Sequence, residues 1–145
     1  MGYVARIERS TAVIPNVNRT MILNTWKDLN ASDNDHMKRG QRTSYADGNQ
    51  IITKHFSWLP THYDQTVESV EDMLDLFEFD YKVDPDTQDI AITGYEAKTG
   101  QEELFFRRVF DSLTGNIHWV GEDHSRWIWN FGKLPKNGSF VTKID

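Results

Sequence analysis

The first 29 residues contain one pattern typical of a strand and one typical of a helix. Residues 3–14 alternate loosely between apolar and polar side chains and are rich in β-branched residues, which predicts a strand that ends at Pro15. Apolar side chains then recur at intervals of four and three residues, so they share one face of a helix predicted over 18–29, with Asn18 as its N-cap. This face consists of Ile22, Trp26 and Leu29.

Residues 30–49 form a polar stretch without such a period. Asn, Ser, Asp, Gly, Lys and Arg dominate it, and Met37 and Tyr45 are its only large apolar residues. We therefore expect a long surface loop, a kind of segment that in small domains is often mobile or functional. Because it has so few apolar anchors, it should be the least stable backbone of the free protein.

Strand and helix patterns alternate from residue 50 to residue 120. The first of two helices is strongly amphipathic, and the second begins with the capping-box sequence Thr99-x-x-Glu102. The elements predicted in this region are a strand over 51–59, a helix over 66–78, strands over 79–83 and 90–95, a helix over 99–113 and a strand over 116–120. The side chains expected to be buried by the two helices are Val67, Val70, Leu74, Phe77, Leu104, Phe105 and Val109.

The order of these elements is β-α-β-β-α-β, which predicts an α+β fold in a single domain of residues 1–145. Two split β-α-β units of this kind form one antiparallel sheet with both helices on one face, the ferredoxin-like arrangement. We expect the strand and helix of residues 3–29 to extend this sheet, together with a C-terminal hairpin of residues 116–131. Residues 138–144 add a last edge strand to the prediction.

Composition narrows the class of protein. The 145 residues carry 16 Lys and Arg against 22 Asp and Glu, a net charge of −6, and they include no cysteine. The lack of cysteine excludes disulfides, thiolate metal sites and a cysteine nucleophile, and it fits a reducing cytoplasm. No apolar run approaches the roughly 20 residues of a membrane span, and the N-terminus lacks a signal-peptide pattern, so we expect no membrane association. The negative net charge argues against direct nucleic-acid binding, which needs clustered Lys and Arg.

Most of the negative charge lies in one segment. Residues 64–89 contain ten acids and one base, Lys82, so this segment carries −9 and the rest of the chain, from the total of −6, carries +3. Acids on the helix predicted over 66–78 lie away from its apolar positions, where they can bind a basic surface of a partner protein and accelerate the encounter. A solvated face that serves only solubility is the alternative. The partner-binding residues predicted from this pattern are Glu68, Glu71, Asp72, Asp75 and Glu78.

Three of the five tryptophans belong to the predicted C-terminal hairpin. Trp127 and Trp129 are two residues apart on one strand, so they share one face of the sheet, and Trp119 lies on the paired strand. Exposed tryptophans in this arrangement form a stacking platform for bases or for a partner's side chains. Buried ones instead close the core beneath the helices. Trp127 and Trp129 are therefore candidates for an aromatic ligand surface, with core packing as the alternative.

The histidines suggest two clusters for metal binding or proton transfer. One consists of His55, His62 and Asp64, and the other of His118, Glu122, Asp123 and His124. The first has the ligand types of a site with two histidines and one carboxylate, but its spacing matches no standard metal motif. The second surrounds the predicted turn at Gly121, where acids and imidazoles can exchange protons or simply cap backbone donors. No nucleophile or oxyanion device accompanies either cluster, so we predict no metal, no cofactor and no catalytic residues.

The two ends of the chain resemble other proteins. The chain begins Met1-Gly-Tyr3 and runs straight into a strand. Residues 117–131 carry a strand, a Gly-Glu-acid turn, a tryptophan and a phenylalanine, and Lys136-Asn-Gly138 follows. These features resemble a group of small uncharacterised proteins of bacteriophages and Gram-positive bacteria. The resemblance implies an α+β sheet protein of phage origin, and it implies no activity and no functional residues.

Three functions are compatible with these features. The first is a small acidic phage-type accessory protein in the host cytoplasm that binds and inhibits a host protein, such as a defence nuclease or a transcription component, with carboxylates that mimic the phosphates of nucleic acid. The second is a binder of, or an enzyme for, a nucleotide-like small molecule enclosed by residues 30–49 and the tryptophan strands. The third is a structural or assembly component of a virion. An apolar pocket lined by Trp127 or Trp129 with converging His or Arg side chains favours the second function, whereas a flat acidic face without a pocket favours the first.

Overall fold

A bent antiparallel sheet is the centre of the fold in the computed structural model, which describes residues 2–136 and 138–144. Its strands, in chain order, are β1 (Val4–Ser10), β2 (Val13–Ile14), β3 (Gly40–Ala46), β4 (Asn49–His55), β5 (Asp80–Val83), β6 (Ile90–Gly94), β7 (Glu96–Lys98), β8 (Asn116–Gly121), β9 (Arg126–Asn130) and β10 (Val141–Ile144). Five strands pair in the order β10-β9-β8-β1-β7, three pair in the order β2-β6-β5, and β3 pairs with β4. All of these pairings are antiparallel.

The five-stranded and three-stranded sheets form one continuous, bent surface. β1 leads into β2 and β6 leads into β7, so two chain segments run through both sheets. At the bend the Ile7 amide donates to the Tyr95 carbonyl at 2.9 Å. On the other side of the bend the Ile92 amide donates to the Ala12 carbonyl at 3.0 Å. The strand predicted over 3–14 is therefore present as two strands whose backbone groups stay paired through the bend.

Four short helices pack against one face of this sheet. They are α1 (Arg19–Asp28), α2 (Tyr63–Thr66), α3 (Val70–Phe77) and α4 (Glu102–Arg107), with 3-10 turns at Asn16–Asn18, Ser32–Met37 and Phe110–Ser112. α1 begins after Asn18 as predicted, although the Asn18 side-chain amide donates to the Ser112 carbonyl at 2.9 Å and does not cap the helix. Within the described ranges, no helix is both long enough and apolar enough to cross a membrane.

The helix predicted over 66–78 is divided in two. Val67 is extended and separates α2 from α3. A new N-cap follows, because the Ser69 hydroxyl accepts a hydrogen bond from the Asp72 amide at 3.1 Å. α3 then ends at Glu78, which adopts the left-handed conformation with a φ of 69°. A side-chain cap inside the predicted helix therefore explains the division.

The helix predicted over 99–113 is shorter than its pattern suggests. Thr99 does not cap it, because its hydroxyl donates to the Tyr3 carbonyl at 3.1 Å and so ties this segment to β1. Glu102 instead accepts a hydrogen bond from the Gly100 amide at 2.8 Å. The capping box predicted at Thr99-x-x-Glu102 is therefore wrong, and only α4 and a later 3-10 turn are helical.

Aromatic side chains fill the core between the helices and the sheet. The ring of Trp26 on α1 lies 5.6 Å from Phe77 and 5.4 Å from Phe106, measured between centroids. Phe106 lies 5.3 Å from Trp129 on β9, so the helical layer meets the sheet through aromatic contacts. The predicted helical faces are confirmed as buried with one exception, Leu104, which is only partly buried. The buried members are Ile22, Trp26, Leu29, Val67, Val70, Leu74, Phe77, Phe105 and Val109.

The α+β class with antiparallel sheets is confirmed, but the ferredoxin-like topology is not. That topology requires the strands predicted over 51–59, 79–83, 90–95 and 116–120 to share one sheet. In the structure β4 pairs with β3, β5 and β6 pair with each other beside β2, and β8 lies between β1 and β9. The N-terminal strand is the physical reason, because β1 pairs with both β7 and β8 and so takes an interior position between them.

The surface loop expected over 30–49 is wrong for most of its length. A 3-10 turn at Ser32–Met37 is followed by β3, which pairs with β4 from Gly40 opposite His55 to Ala46 opposite Asn49. Asp47 and Gly48 turn the hairpin with φ values of 53° and 80°, the two left-handed residues of a tight hairpin turn. We call this hairpin of residues 40–55 the arm. None of its strand residues is buried, and Tyr45 is 74% exposed.

We expect the arm to be the least protected strand pair in amide hydrogen exchange. Two paired strands without a packed face are only marginally stable in water, so the arm opens without global unfolding. β8 is the internal control because it has a partner on each side and buried residues. Its amides should exchange at least about 100-fold more slowly than those of the arm. Equal protection of the arm and β8 would contradict this expectation.

Candidate functional site

A cleft of about 580 Å³ opens beside the tryptophan-bearing strands. Tyr3, Trp119 and Trp127 contribute the aromatic side chains of its floor. Residues 99–104 with Arg107 line one side, and residues 36, 37 and 39 line the other. The volume lies within the range of small-molecule sites, which is about 300–1,000 Å³.

The aromatic floor follows from the register of the C-terminal hairpin. Trp119 on β8 lies directly opposite Trp127 on β9, so both side chains project from the same face of the sheet. Their rings are almost parallel, at 9°, with centroids 6.2 Å apart, and the Tyr3 ring lies 6.3 Å from that of Trp127. Trp119 is buried and Trp127 is half-buried, so Trp127 supplies the more accessible ring surface.

The Gln101 side chain joins the two sides of the cleft. Its Oε1 atom accepts hydrogen bonds from the backbone amides of Arg39 at 3.2 Å and Ser57 at 3.0 Å. Its Nε2 atom donates to the Met37 carbonyl at 2.7 Å. One buried amide group therefore satisfies three backbone groups and holds the segment of Met37 and Arg39 against the start of α4.

Glu102 places a carboxylate in the lining with little solvent around it. The residue is 7% exposed, and its Oε2 atom accepts from the Gly100 amide at 2.8 Å. The Tyr95 hydroxyl lies 3.4 Å from Oε1. Burial raises the pKa of Glu102, and burial together with the nearby Glu102 charge raises the pKa of Tyr95. No salt bridge within the described parts of the chain includes Glu102.

Two indole N–H groups of the lining have no hydrogen-bond partner among the described residues. They belong to Trp119, which is 3% exposed, and Trp129, which is 4% exposed. Nearly all buried polar groups in folded proteins are paired, so each such donor calls for a physical explanation. Both N–H groups have almost no solvent-accessible surface, so they belong to the core behind the cleft and are not open to a ligand in it.

Replacing Glu102 with glutamine is expected to stabilise the protein as the pH rises. The folded state raises the pKa of this carboxyl above its ordinary value of 4.5, so the folded protein holds the proton more tightly than the unfolded chain does. Stability from this group is therefore present at low pH and lost as the pH rises through that window. The amide oxygen of glutamine can still accept from Gly100 without a charge.

The measurement is the melting temperature of both proteins from pH 4 to pH 8. Every other titrating group is common to the two proteins, so its contribution cancels in the difference. The advantage of Glu102→Gln should grow with pH and then level off. A difference that is independent of pH would show that the carboxylate is not destabilised in the folded state.

Basic side chains lie at the mouth of the cleft. His36, Arg39 and Arg107 line it and are exposed. Arg107 also forms an exposed ion pair with Glu103, in which the Arg107 Nη2 atom lies 3.2 Å from the Glu103 Oε2 atom. Exposed ion pairs of this kind contribute little to stability. Among the ion pairs of residues 2–136 and 138–144, none includes Arg39. An anionic group at the outer end of a ligand would therefore meet positive charge.

Trp127 and Trp129, the aromatic candidates from the sequence, both line this cleft. The structure also brings them beside His36, Met37 and Arg39, three residues of the polar stretch 30–49. Trp129 also packs against Phe106, so its side chain belongs to the core and lines the cleft as well. A pocket with converging His and Arg side chains is the feature expected of a binder of nucleotide-like molecules.

The acidic candidates divide into exposed residues and residues with structural contacts. Glu71 forms a salt bridge with Arg19 at 3.0 Å, and Asp72 accepts from the Glu68 amide at 2.8 Å in the cap of α3. Both are half-buried. The exposed carboxylates are those of Glu68, Asp75 and Glu78.

The first histidine cluster has structural contacts of its own. The His55 Nδ1 atom lies 3.0 Å from the Phe56 carbonyl, and Asp64 accepts from the Asn30 side chain at 2.6 Å. His62 is exposed and precedes α2. In the described part of the chain, no group of three or more His, Asp or Glu side chains is arranged to hold a metal ion.

Three members of the second histidine cluster, Glu122, Asp123 and His124, lie in the turn between β8 and β9. Asp123 accepts from the Ser125 amide at 3.1 Å and from the Tyr3 hydroxyl, and the bond from Tyr3 lowers the pKa of Asp123. His118 lies opposite Arg9 in the sheet, and burial lowers its pKa. Capping of backbone donors by Asp123 is thus observed, and Glu122 and His124 are exposed.

Gln101 and Glu102 are candidate site residues that sequence reasoning missed. The sequence pattern assigned Glu102 to a capping box and assigned no role to Gln101. Polar residues are common in the first turn of a helix and are usually solvated there. The contacts of Gln101 with Met37, Arg39 and Ser57 join distant parts of the chain, so no local signal marks them.

Comparisons with protein-family models, with curated proteins and with solved structures found no match to this chain. The resemblance of the two chain ends to small phage proteins therefore stays a prediction. The geometry of the cleft and the distribution of charge are the observations from which a function can be argued.

Proposed function

We propose that this protein is a cytoplasmic binding protein that takes a small planar ligand of nucleotide type in the aromatic cleft. The single observation that carries the proposal is the cleft of about 580 Å³ between the tryptophan strands and the segment of residues 36, 37 and 39. Its size suits a mononucleotide, and it has aromatic surface inside and cationic side chains outside.

The distribution of chemical groups favours a nucleotide over a purely apolar ligand. Aromatic rings such as Trp127 stack on the flat face of a base, an interaction worth about 1–3 kcal/mol per base. The carboxylate of Glu102 is buried and forms no salt bridge in the described ranges, so it favours a ligand that donates hydrogen bonds over a hydrocarbon. Arg39 at the mouth suits a phosphate, since a guanidinium forms paired hydrogen bonds with phosphate oxygens.

Isothermal titration with nucleoside monophosphates tests this proposal, with choline as a cationic probe of the same aromatic surface. Trp127→Ala should weaken nucleotide binding by about tenfold or more, because it removes the stacking surface. Tyr45→Ala is the matched control, since it removes an exposed aromatic ring from the arm. Failure of every nucleotide to bind would refute the proposal, and binding of choline alone would assign the cleft to cations.

The acidic segment supports a second candidate function. We propose as the alternative a phage-type accessory protein that binds and inhibits a host protein with a basic surface. Glu68, Asp75 and Glu78 are exposed within a segment of residues 64–89 that carries −9. Clustered carboxylates of this kind attract a basic partner and can stand where the phosphates of nucleic acid would lie.

Replacing Glu68 and Asp75 with lysine is expected to slow association with such a partner by about tenfold at low salt. Exposed charges act mainly on the association rate and are screened over about 8 Å at physiological ionic strength, so the double variant should also flatten the dependence on salt. The variant Glu96→Lys with Glu122→Lys makes the same change of charge at exposed positions outside the acidic segment. Surface plasmon resonance with a partner found by co-purification measures both, and equal rates for the two variants would remove the acidic face from the mechanism.

A further inference from the structure

We infer that the cleft selects guanine among the nucleobases and that the carboxylate of Glu102 reads the base, an inference that rests on the proposed nucleotide-binding function. Glu102 lines the cleft, is 7% exposed and forms no salt bridge within the described ranges. An ionised carboxylate only accepts hydrogen bonds, and when buried it is stabilised by donors. The protein supplies the Gly100 amide at 2.8 Å and the more distant Tyr95 hydroxyl at 3.4 Å. Each carboxylate oxygen can accept a further bond.

Guanine carries the matching donors. Its N1–H and its 2-amino group lie side by side on one edge of the base, so they can donate in parallel to the two oxygens of one carboxylate, as a guanidinium does. Adenine and cytosine place an amino donor next to a ring-nitrogen acceptor on this edge. Uracil places its one N–H between two carbonyl acceptors. Each of the other three bases would therefore hold an acceptor against a carboxylate oxygen, which is repulsive at a buried site.

The remaining groups of the lining fit the same base. The half-buried ring of Trp127 is available for stacking. Cationic side chains at the mouth, Arg39 and Arg107, suit the phosphate of the nucleotide.

The burial of the Glu102 carboxylate determines how strongly the cleft selects guanine over the other bases. A site built around buried polar groups rejects a ligand that leaves them unpaired much more strongly than an apolar pocket rejects an extra methyl group. A good bidentate contact discriminates by about 1–3 kcal/mol, which corresponds to roughly 5- to 150-fold in affinity. We therefore expect GMP to bind at least about tenfold more tightly than AMP, CMP or UMP.

The experiment is a calorimetric titration of the protein with GMP, IMP, AMP, CMP and UMP. IMP keeps N1–H and O6 but lacks the 2-amino group, so its affinity should fall between those of GMP and AMP. Glu102→Gln keeps the size of the side chain and replaces one acceptor with a donor, which matches the donor and acceptor on the edge of adenine. It should therefore abolish most of the preference for GMP, by weakening GMP binding and strengthening AMP binding. Glu103→Gln, which changes the neighbouring exposed acid, should keep the preference.

The results of these titrations distinguish the inference that the cleft selects guanine from the proposal that it binds nucleotides at all. Similar affinities for all five nucleotides, or an unchanged preference in Glu102→Gln, would overturn the guanine inference and leave nucleotide binding intact. Failure of all five to bind would overturn both. The comparison of GMP with IMP uses the unmodified protein, so it decides the role of the 2-amino group even if a variant does not fold.

Discussion

Replacing Phe105 with alanine is expected to lower the free energy of unfolding by about 3–5 kcal/mol. The Phe105 ring is fully buried, with centroids 4.9 Å from Phe56, 5.2 Å from Phe77 and 6.0 Å from Tyr63. These neighbours belong to α3, to α2 and to the segment after β4. The cavity left by alanine would therefore be bounded by several elements at once, and none of them can move in to fill it without losing other contacts.

The adjacent position provides the control for this prediction. Leu104 follows the same helical pattern but is only partly buried, so Leu104→Ala should cost about 1 kcal/mol. Urea unfolding followed by tryptophan fluorescence gives both values. A cost below about 0.5 kcal/mol for Phe105→Ala would show that this ring is not part of the core.

The spacing of apolar residues predicted which side of each helix is buried. Trp26 and Phe77 were placed correctly because helix geometry brings residues three and four apart to one face whatever the tertiary contacts are. The same reasoning failed for Leu104, because this residue lines the open cleft and is only partly buried. Local periodicity thus indicates the direction of a side chain, and the tertiary contacts decide how much of it is covered.

Strand partners were not predictable in this way. A strand pattern shows that a segment is extended, but pairing joins residues far apart in the chain, as Arg6 of β1 lies opposite both Glu96 and Val120. The first strand of the arm, β3, was missed for a different reason, whereas β4 overlaps the strand predicted over 51–59. β3 is solvated, so it lacks the buried face that produces alternation, although Asp47-Gly48 is a strong local signal for a tight hairpin.

The candidate site was predictable in part. Trp127 and Trp129 were correctly placed on one face because strand residues alternate between the faces of a sheet. The polar residues of the cleft were not found, since Gln101 is held by contacts with the distant residues Met37, Arg39 and Ser57, and the burial of Glu102 also depends on tertiary packing. The burial of a charged residue, which is the clearest sign of function in this cleft, is therefore a property of the assembled fold.

Gly115 lies just before β8, where the chain passes close to Thr11. It precedes β8 with a φ of 83°, a left-handed conformation in which a side chain is strained. A Cβ atom at this position would overlap the backbone carbonyl group of Thr11. Thr11 cannot readily move away, because its amide donates to the Asn116 carbonyl at 2.8 Å and its hydroxyl accepts from the Asn116 amide at 3.0 Å.

Gly115→Ala is therefore expected to lower the free energy of unfolding by about 3 kcal/mol or more, because the left-handed strain and the steric overlap add together. Gly48→Ala is the matched control: its φ is 80°, but a Cβ atom there meets nothing within 4 Å. It should lose at most the conformational contribution of about 1 kcal/mol, because the arm opens without global unfolding. Urea unfolding of the two variants separates strain from overlap, and equal losses would mean that Thr11 and Gly115 do not approach each other as closely as the structure has them.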